Sequence, residues 1–288
     1  MSKQKTILVT GGAGFIGSHL SERLAKEGHR VISLDNYFTG SRDNHVSGVD
    51  YREGHTKDIE KHVKEKPDLV YHLGEYSRVE KSFDDTELVW DLNKAGTFAV
   101  LEFCRKRGIK IVYAGSSTKF GDGGLGRDQS PYAWTKASNT ELVRNYGHWF
   151  NLPYAITYFY NVYGPREIAL GAYATVIGIF KEQYKKNSPI TVVSPGTQKR
   201  NFTHVEDIVE GLVLVGEKGE GDDFGIGSKK NYSIIKVAEM FGTDIKMLPE
   251  RAGNRMESSI ETVKTEKLGW QAKKDLDEHV KIFKKELK

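Results

Sequence analysis

Short apolar runs rich in β-branched residues recur through the first half of the chain. They occupy residues 6–10, 30–35, 68–74 and 109–115, and each has the length of one buried strand. Between them the apolar residues take helical spacing, as at Leu20, Leu24 and Ala25. Strands that alternate with helices predict right-handed crossovers and a parallel sheet that helices cover on both faces.

The first strand leads directly into a glycine turn. Gly11, Gly14 and Gly17 stand at spacing three, followed by the first helical pattern. Such glycines permit a tight turn, a close approach of backbone to a diphosphate, and close packing of helix on strand. A diphosphate is then expected at the positive end of the helix, with Phe15 and Ile16 beside it. This context predicts the α/β class and a Rossmann-type doubly wound parallel sheet.

An acidic residue ends the second strand. Asp35 lies at the distance where a ribose 2′-hydroxyl is read, and Asn36 follows it. A carboxylate accepts hydrogen bonds from a diol and repels a 2′-phosphate. The sequence therefore favours NAD over NADP as the cofactor.

The regular alternation ends after Arg166. Residues 1–165 are predicted to form the dinucleotide-binding domain, with a return of the chain to it around 201–228. Residues 166–288 are predicted to form a smaller α/β lobe that binds the substrate, and a helix of that lobe is predicted to start within 171–180. Since no repeat or low-complexity linker separates the halves, the two lobes are expected to be interwoven.

Composition excludes several classes of function. The 288 residues carry 43 basic and 39 acidic side chains of mixed order, which argues against a nucleic-acid surface. No apolar run reaches the length of a membrane span, and the first residues lead straight into a strand, so a cytoplasmic location is expected. The nine histidines show no metal-ligand spacing, so no metal site is expected. Cys104, the single cysteine, lies in a helical pattern and is expected to be buried.

Candidate chemistry lies between Tyr113 and Lys136. If the segment after Pro131 is helical, Tyr132 and Lys136 lie one turn apart on the same face. An ammonium beside a phenol favours the phenolate, so a tyrosine with an ordinary pKa of about 10 becomes a usable base nearer neutrality. A hydroxyl of Ser116 or Thr118 would complete a proton path. Two exposed polar residues on a helix are the alternative interpretation.

Several motifs together carry a resemblance to a known family. They are Gly11-x-x-Gly14-x-x-Gly17, Asp35-Asn36, Asn93 before Gly96-Thr97, Ser116, Tyr132 with Lys136, and Asn161-Val-Tyr-Gly-Pro-Arg166. Over nearly the whole chain the pattern resembles the extended short-chain dehydrogenase/reductase family, and within it the nucleotide-sugar epimerases typified by UDP-galactose 4-epimerase.

The resemblance implies a mechanism. Tyr132 would take the proton of a sugar hydroxyl while a hydride passes to NAD, the keto sugar would turn over, and the hydride would return to its other face. Lys136 would hold the nicotinamide ribose and lower the pKa of Tyr132, Ser116 would relay the proton, and Asn93 would support the geometry and count among the cofactor residues. Thr56, Leu73 and Gly74 complete the predicted cofactor set.

The same resemblance argues against dehydration and implies a nucleotide-sugar substrate. The related 4,6-dehydratases place Asp-Glu where this chain has Ser117 and Thr118, and neither hydroxyl can serve as the second acid. A nucleotide sugar, expected to be UDP-linked, is the partner that the resemblance implies.

The substrate contacts fall on positions from both lobes. Arg200 and Arg251 are expected to hold the diphosphate side, with charge-assisted contacts. Asn161 is expected at a phosphate or the sugar, and Asn254 at the nucleoside ribose.

Departures from the family pattern cluster around the sugar. Glu75, beside Ser77, replaces a residue of an alanine-rich stretch and needs a partner, for which Lys119 is a candidate. A structural ion pair is one interpretation, and a contact of Glu75 or Lys119 with an unusual sugar substituent, such as a carboxylate, is the other. His55 and Thr56 also replace the pair that commonly meets adenine.

The predicted sugar site is also open. The loop at 121–130 is short, and Ser258 stands where the epimerases gate sugar size. N-acetylated and other bulky sugars are therefore expected to be accepted.

The sequence is also compatible with two rival functions, and it predicts an assembly. The rivals are net oxidation or reduction of a nucleotide sugar, and NAD binding without turnover in a regulatory protein. Segments 93–106 and 132–150 correspond to helices that form a dimer contact in many relatives, which predicts a homodimer. Phe98, Leu101 and Phe103 belong either to that contact or to the core.

Overall fold

The computed structural model describes residues 3–116, 126–159, 161–250 and 261–287. Most of its strands belong to one large sheet. In chain order, the strands are β1 (Thr6–Thr10), β2 (Arg30–Asp35), β3 (Val49–Glu53), β4 (Leu69–His72), β5 (Lys110–Ala114), β6 (Tyr154–Phe159), β7 (Val162–Tyr163), β8 (Ile190–Val193), β9 (Lys199–Asn201), β10 (Thr203–His204), β11 (Gly221–Ile226), β12 (Asn231–Ser233) and β13 (Ile245–Leu248).

Helices connect and cover these strands. They are α1 (Phe15–Lys26), α2 (Ile59–His62), α3 (Thr86–Val89), α4 (Gly96–Arg107), α5 (Pro131–Phe150), α6 (Val176–Lys185), α7 (Val205–Lys218), α8 (Ile234–Phe241), α9 (Val263–Glu266) and α10 (Leu276–Glu286). A π-helical turn, Trp90–Ala95, joins α3 to α4, and short 3₁₀ turns lie at Arg42–Asn44, Thr56–Asp58 and Glu80–Phe83.

The large sheet has seven parallel strands in the order β11-β6-β5-β4-β1-β2-β3. The strand order therefore changes direction between β1 and β4. Ligands of open parallel sheets bind outside the carboxyl ends of the strands at such a switch point. This confirms the predicted α/β class and the doubly wound parallel sheet.

Apolar clusters cover both faces of the sheet. One face packs against α4 and α5 through a cluster that includes Leu101, Phe103 and Cys104, all fully buried. The other face packs against α1 and α7, with Leu20 and Leu212 in its core. Burial of Cys104 agrees with the prediction and raises the pKa of its thiol. Phe98, by contrast, is 53% exposed, so it is a surface residue while Leu101 and Phe103 are core.

The smaller lobe has its own apolar core. It packs α6, α8 and α10 around β8, with Phe180, Val237 and Val280 among the buried side chains. Three two-stranded sheets complete it and join it to the large sheet: β7 with β10, β9 with β12, and β8 with β13. The chain then returns to the large sheet through α7 and β11.

The helix predicted to start within 171–180 begins at Val176, inside that range. Thr175 caps the helix, because its side-chain oxygen accepts a hydrogen bond from the amide of Gly178 at 3.0 Å. Gly171 has a left-handed φ of +81°, which does not continue into a helix. Residues 171–175 therefore form a loop before α6.

Candidate active site

A cavity of ≈ 1090 Å³ lies at the carboxyl edge of the large sheet, between the sheet and the smaller lobe. Its lining includes the glycine turn after β1, the loop after β4, the start of α5 and residues of β8 and β9. The volume exceeds the usual range for one drug-sized ligand. The cavity therefore has room for two ligands side by side.

The glycine turn forms one end of this cavity. Gly11 has a φ of +72°, and a Cβ there would stand 2.9 Å from the Cα of Gly74. A Cβ on Gly17 would overlap with the carbonyl oxygen of Gly11. Helix α1 begins at Phe15, directly after Gly14, which has no side chain to cap the first amides. The turn thus presents backbone amides and the positive helix end to a ligand, and these residues fit the diphosphate of a dinucleotide.

Asp35 lies beside this turn at the end of β2. Its carboxylate accepts hydrogen bonds from the amides of Ala13, at 2.9 Å, and Tyr37, at 2.8 Å. Burial raises the pKa of Asp35, and the hydrogen bonds from Tyr37, Ala13 and Gly14 oppose that rise. Asn36 and Thr56 also line the cavity, and the Thr56 hydroxyl has no hydrogen-bond partner among the described residues. The donor set fits the ribose end of NAD.

Helix α5 brings the predicted base to the opposite end. Pro131 is its first residue, and Ser130 caps it by accepting from the amide of Ala133 at 3.1 Å. The Tyr132 hydroxyl donates a hydrogen bond to Ser116 Oγ at 3.2 Å. Both side chains line the cavity. A phenol bonded to a serine hydroxyl is an arrangement that can pass a proton.

Lys136 lies one turn further along α5 and is only 5% exposed. Its ammonium donates to a carboxylate oxygen of Glu75 and to the carbonyl oxygen of Ala114. It also lies over the ring of Tyr113, 4.6 Å from the centroid. The charged partner of Glu75 among the described residues is therefore Lys136; the candidate partner Lys119 lies outside the described residues.

A buried polar network continues from Glu75. The carboxylate accepts from Thr97 Oγ1 at 2.6 Å, from Asn139 Nδ2 at 2.9 Å and from the Tyr113 hydroxyl at 3.2 Å. Burial alone would raise the pKa of Glu75, but the Lys136 ammonium and hydrogen bonds from Lys136 and Thr97 lower it below its usual value. Glu75 is therefore ionised near neutrality.

His72 extends the network to the glycine turn. Its Nε2 lies 2.9 Å from Thr97 Oγ1 and its Nδ1 lies 2.7 Å from Thr10 Oγ1. Because Thr97 donates to Glu75, His72 donates to Thr97 through Nε2–H and accepts from Thr10 at Nδ1. Burial lowers the pKa of His72 to about 4, so the ring is neutral. The network joins β1, β4, α4 and α5 beneath the cavity.

Most of the predicted site residues in the described part of the chain line this one cavity. They are Gly11, Gly14, Phe15, Ile16, Gly17, Asp35, Asn36, Thr56, Leu73, Gly74, Glu75, Ser77, Ser116, Tyr132, Lys136, Asn161 and Arg200. Five more predicted residues lie outside the described residues: Thr118, Lys119, Arg251, Asn254 and Ser258.

The position of Asn93 differs in part from the prediction. It was placed among the cofactor residues, but its side chain is fully buried and does not line the cavity. Its Oδ1 accepts from the amide of Tyr76 at 2.7 Å, and its Nδ2 donates to Thr135 Oγ1 at 3.0 Å. Asn93 therefore fastens the loop after β4 to α5, which agrees with the supporting role also implied for it.

Sequence reasoning missed Arg78, a cation of the cavity wall. Its guanidinium donates to the carbonyl oxygens of Tyr173 and Ser77. Burial lowers its pKa, opposed by the nearby phenols of Tyr132, Tyr76 and Tyr173. Its place in the loop directly after a central strand was the available signal, since such loops border the ligand crevice.

The described residues contain no group of three or more histidine, cysteine or acidic side chains placed to hold a metal ion. None of the helices in those residues combines the length and apolar character that crossing a bilayer requires.

Comparisons with known proteins agree with this site. The profile of the NAD dependent epimerase/dehydratase family matches residues 7–227. The chain is 32% identical to a candidate UDP-glucose 4-epimerase of Methanocaldococcus jannaschii, with 96% of each chain covered. It is 30% identical to UDP-glucuronic acid decarboxylase 6 of Arabidopsis thaliana, over 98% of this chain and 88% of the relative. The crystal structure of the Thermotoga maritima UDP-glucose 4-epimerase with UDP-glucose superposes with a TM-score of 0.90, at 27% identity, covering 98% and 100% of the two chains.

Proposed function

Because the chain belongs to the NAD-dependent epimerase/dehydratase family, we propose that it is a nucleotide-sugar epimerase that inverts C4 of a UDP-linked hexose. The observation that carries this proposal is the sharing of one cavity. The glycine turn with Asp35 stands at one end, and the Tyr132–Ser116 pair stands at the other. A cofactor held at the first end would reach a sugar held at the second.

Each residue of the site has a separate role in the proposed reaction. Tyr132 removes the proton of the C4 hydroxyl and returns it, and Ser116 passes or holds that proton through their hydrogen bond. Lys136, fixed on the same helix, stabilises the phenolate by its charge. When bound, NAD supplies the chemistry of hydride acceptance and return. The glycine turn and Asp35 would hold its diphosphate and adenosine ribose.

The substrate contacts come from the smaller lobe and from the segment 251–258. Arg200 and Asn161 line the cavity from the side of the smaller lobe, where a diphosphate would lie. Arg251, Asn254 and Ser258 are proposed from the sequence alone.

Selectivity against dehydration and for a bulky or charged sugar is also proposed. Ser117 and Thr118 offer no second acid for elimination. The large cavity and the cation of Arg78 near Tyr132 support acceptance of N-acetylated or carboxylated hexoses.

Product identification tests the function. The purified protein is incubated separately with UDP-glucose, UDP-N-acetylglucosamine and UDP-glucuronate, and each product is analysed by proton NMR and mass spectrometry. The proposal expects the C4 epimer of at least one substituted sugar, with unchanged mass and no stoichiometric NADH. Loss of carbon dioxide would identify a decarboxylase, and stoichiometric NADH a dehydrogenase; either result contradicts epimerisation. Turnover of UDP-glucose alone would contradict the proposed sugar range.

We further propose that two copies pair through an aromatic face on the outer helices. Trp90 and Trp134 stack with ring centroids 5.9 Å apart and are 54% and 39% exposed. Phe98, Trp149 and Phe150 are also exposed on α4 and α5. Large apolar side chains grouped on a surface mark interaction sites. A second copy of the same helix pair is the partner that the family resemblance implies.

Charge placed on this face should separate the copies. Light scattering is expected to give twice the chain mass of 32.4 kDa for the wild type and the mass of one chain for Trp134→Glu. Val263→Glu, a change at an exposed apolar residue on α9, is the control and should stay dimeric. A monomeric wild type, or a dimeric Trp134→Glu variant, would contradict the proposed interface.

A further inference from the structure

The contact between Glu75 and Lys136 is the feature of the site that the proposed mechanism does not use. The two side chains are 3% and 5% exposed, so water does not screen their charges. Lys136 has three N–H donors. Glu75 and Ala114 accept two of them, and the Tyr113 ring closes a further side. The position of the ammonium is therefore set mainly by these three groups.

The carboxylate itself is held from several directions. Thr97, Asn139 and Tyr113 all donate to it. With these bonds and Lys136, its oxygens are occupied by the protein. The side chain is thus directed into the polar network under the cavity, and the pair carries no net charge.

We propose that Glu75 is a positioning residue for Lys136: it fixes the ammonium on α5 and offsets its charge, so that Tyr132 loses its proton at a higher pH than beside an uncompensated lysine. A positive charge near a phenol favours the phenolate, and a carboxylate paired with that charge weakens the effect. The inference rests on the proposed role of Tyr132 as the base. It also gives a reason for an acid in a stretch that is alanine-rich in the resembling family.

Other titratable and charged groups face this pair from each packed element. They are His72 on β4, Lys94 in the π-helical turn and Tyr113 on β5. Arg78, in the loop after β4, faces Tyr132 instead. His72 is neutral, and burial raises the pKa of Tyr113 further from neutrality. Burial lowers the pKa of Lys94, and Glu75 opposes that effect. None of these side chains is a second carboxylate, so removal of Glu75 leaves the Lys136 ammonium without a compensating anion among them.

Titration of the phenol tests the proposal without any turnover. Phenolate absorbance is recorded against pH for the NAD-bound protein, and the same curve for the Tyr132→Phe variant is subtracted to isolate Tyr132. The measurement is repeated in the Glu75→Gln background. The midpoint is expected to fall by about one pH unit. If the protein turns over a substrate, the midpoint of the acid limb of its kcat–pH profile should move to lower pH by the same amount.

A matched variant separates charge from hydrogen bonding. Tyr113→Phe removes a 3.2 Å hydrogen bond to Glu75 and keeps the carboxylate, so its midpoint should stay at the wild-type value. Glu75→Asp keeps a carboxylate, so its titration midpoint should lie close to the wild-type value. An unchanged midpoint in Glu75→Gln, or an equal shift in Tyr113→Phe, overturns the proposal.

Loss of protein structure is covered by a second variant. Glu75→Ala also removes the charge and is smaller than the side chain it replaces, so it should give the same direction of shift. If neither Glu75→Gln nor Glu75→Ala folds, the proposal is overturned. A purely electrostatic role for Glu75 requires that the fold tolerate a neutral side chain at this position. Failure of the epimerase assay alone leaves the titration result standing, so the two outcomes are distinguishable.

Discussion

Replacement of Tyr132 by phenylalanine is expected to lower kcat about 10³-fold while NAD stays bound. The change removes only the hydroxyl that donates to Ser116 Oγ at 3.2 Å. The ring remains beside the apolar cluster of Tyr76, Val89 and Leu92. The cofactor end of the cavity is untouched, so chemistry should be lost and binding kept. Initial rates and NAD affinity are measured on the same preparation.

The control for this substitution is Tyr184→Phe. Tyr184 lies on α6 in the core of the smaller lobe and does not line the cavity. The same loss of a hydroxyl there should leave kcat within about twofold of the wild type, that is, within about 0.4 kcal/mol in activation free energy, because the side chain lies outside the cavity. Activity retained in Tyr132→Phe would remove Tyr132 from the role of base.

Replacement of Gly17 by alanine is expected to reduce NAD affinity roughly 100-fold, which corresponds to about 2.7 kcal/mol. The added methyl group overlaps with the carbonyl oxygen of Gly11 and approaches the Cα of Gly12 at 3.0 Å. Backbone atoms cannot rotate away, so the turn and α1 must separate. The overlap should also lower the free energy of unfolding by about 1–3 kcal/mol. Calorimetric titration with NAD and chemical denaturation measure the two effects.

Gly28→Ala places the same methyl group near the other end of α1. No neighbouring heavy atom lies within 4 Å of it apart from its chain neighbours, although its φ of +85° makes alanine strained. This variant should lose about 1 kcal/mol of stability and keep NAD affinity. Equal NAD affinity in Gly17→Ala and the wild type would show that the turn does not hold the cofactor.

Local signals in the sequence were enough for the sheet and the glycine turn. Strand β1, the turn and α1 are contiguous, so their order can be read directly. The helix that carries Tyr132 and Lys136 was also predictable, because Pro131 at its first position marks its start. For α6 the sequence predicted only that the helix starts within 171–180, and the exact start at Val176 depends on the cap formed by Thr175.

Contacts between distant segments could not be read from the sequence. Glu75 was recognised as an acid that needs a partner, but Lys136 lies 61 residues away and meets it only because β4 and β5 are adjacent. Lys119 is nearer to Glu75 in the sequence and carries the same positive charge as Lys136. Asn93 was assigned to the cofactor for a related reason, because a pattern identifies the residue but not the direction of its side chain.

A single isotope experiment tests the central claim that the cavity carries out epimerisation by removal and return of hydrogen at C4. The UDP-hexose identified as substrate is prepared with deuterium at C4 and converted in ordinary water. We predict that the epimer retains the deuterium at C4, because the hydride is taken up and returned within one cavity, and that Tyr132→Phe forms the epimer about 10³-fold more slowly. Replacement of the deuterium by solvent hydrogen in the epimer would contradict the account.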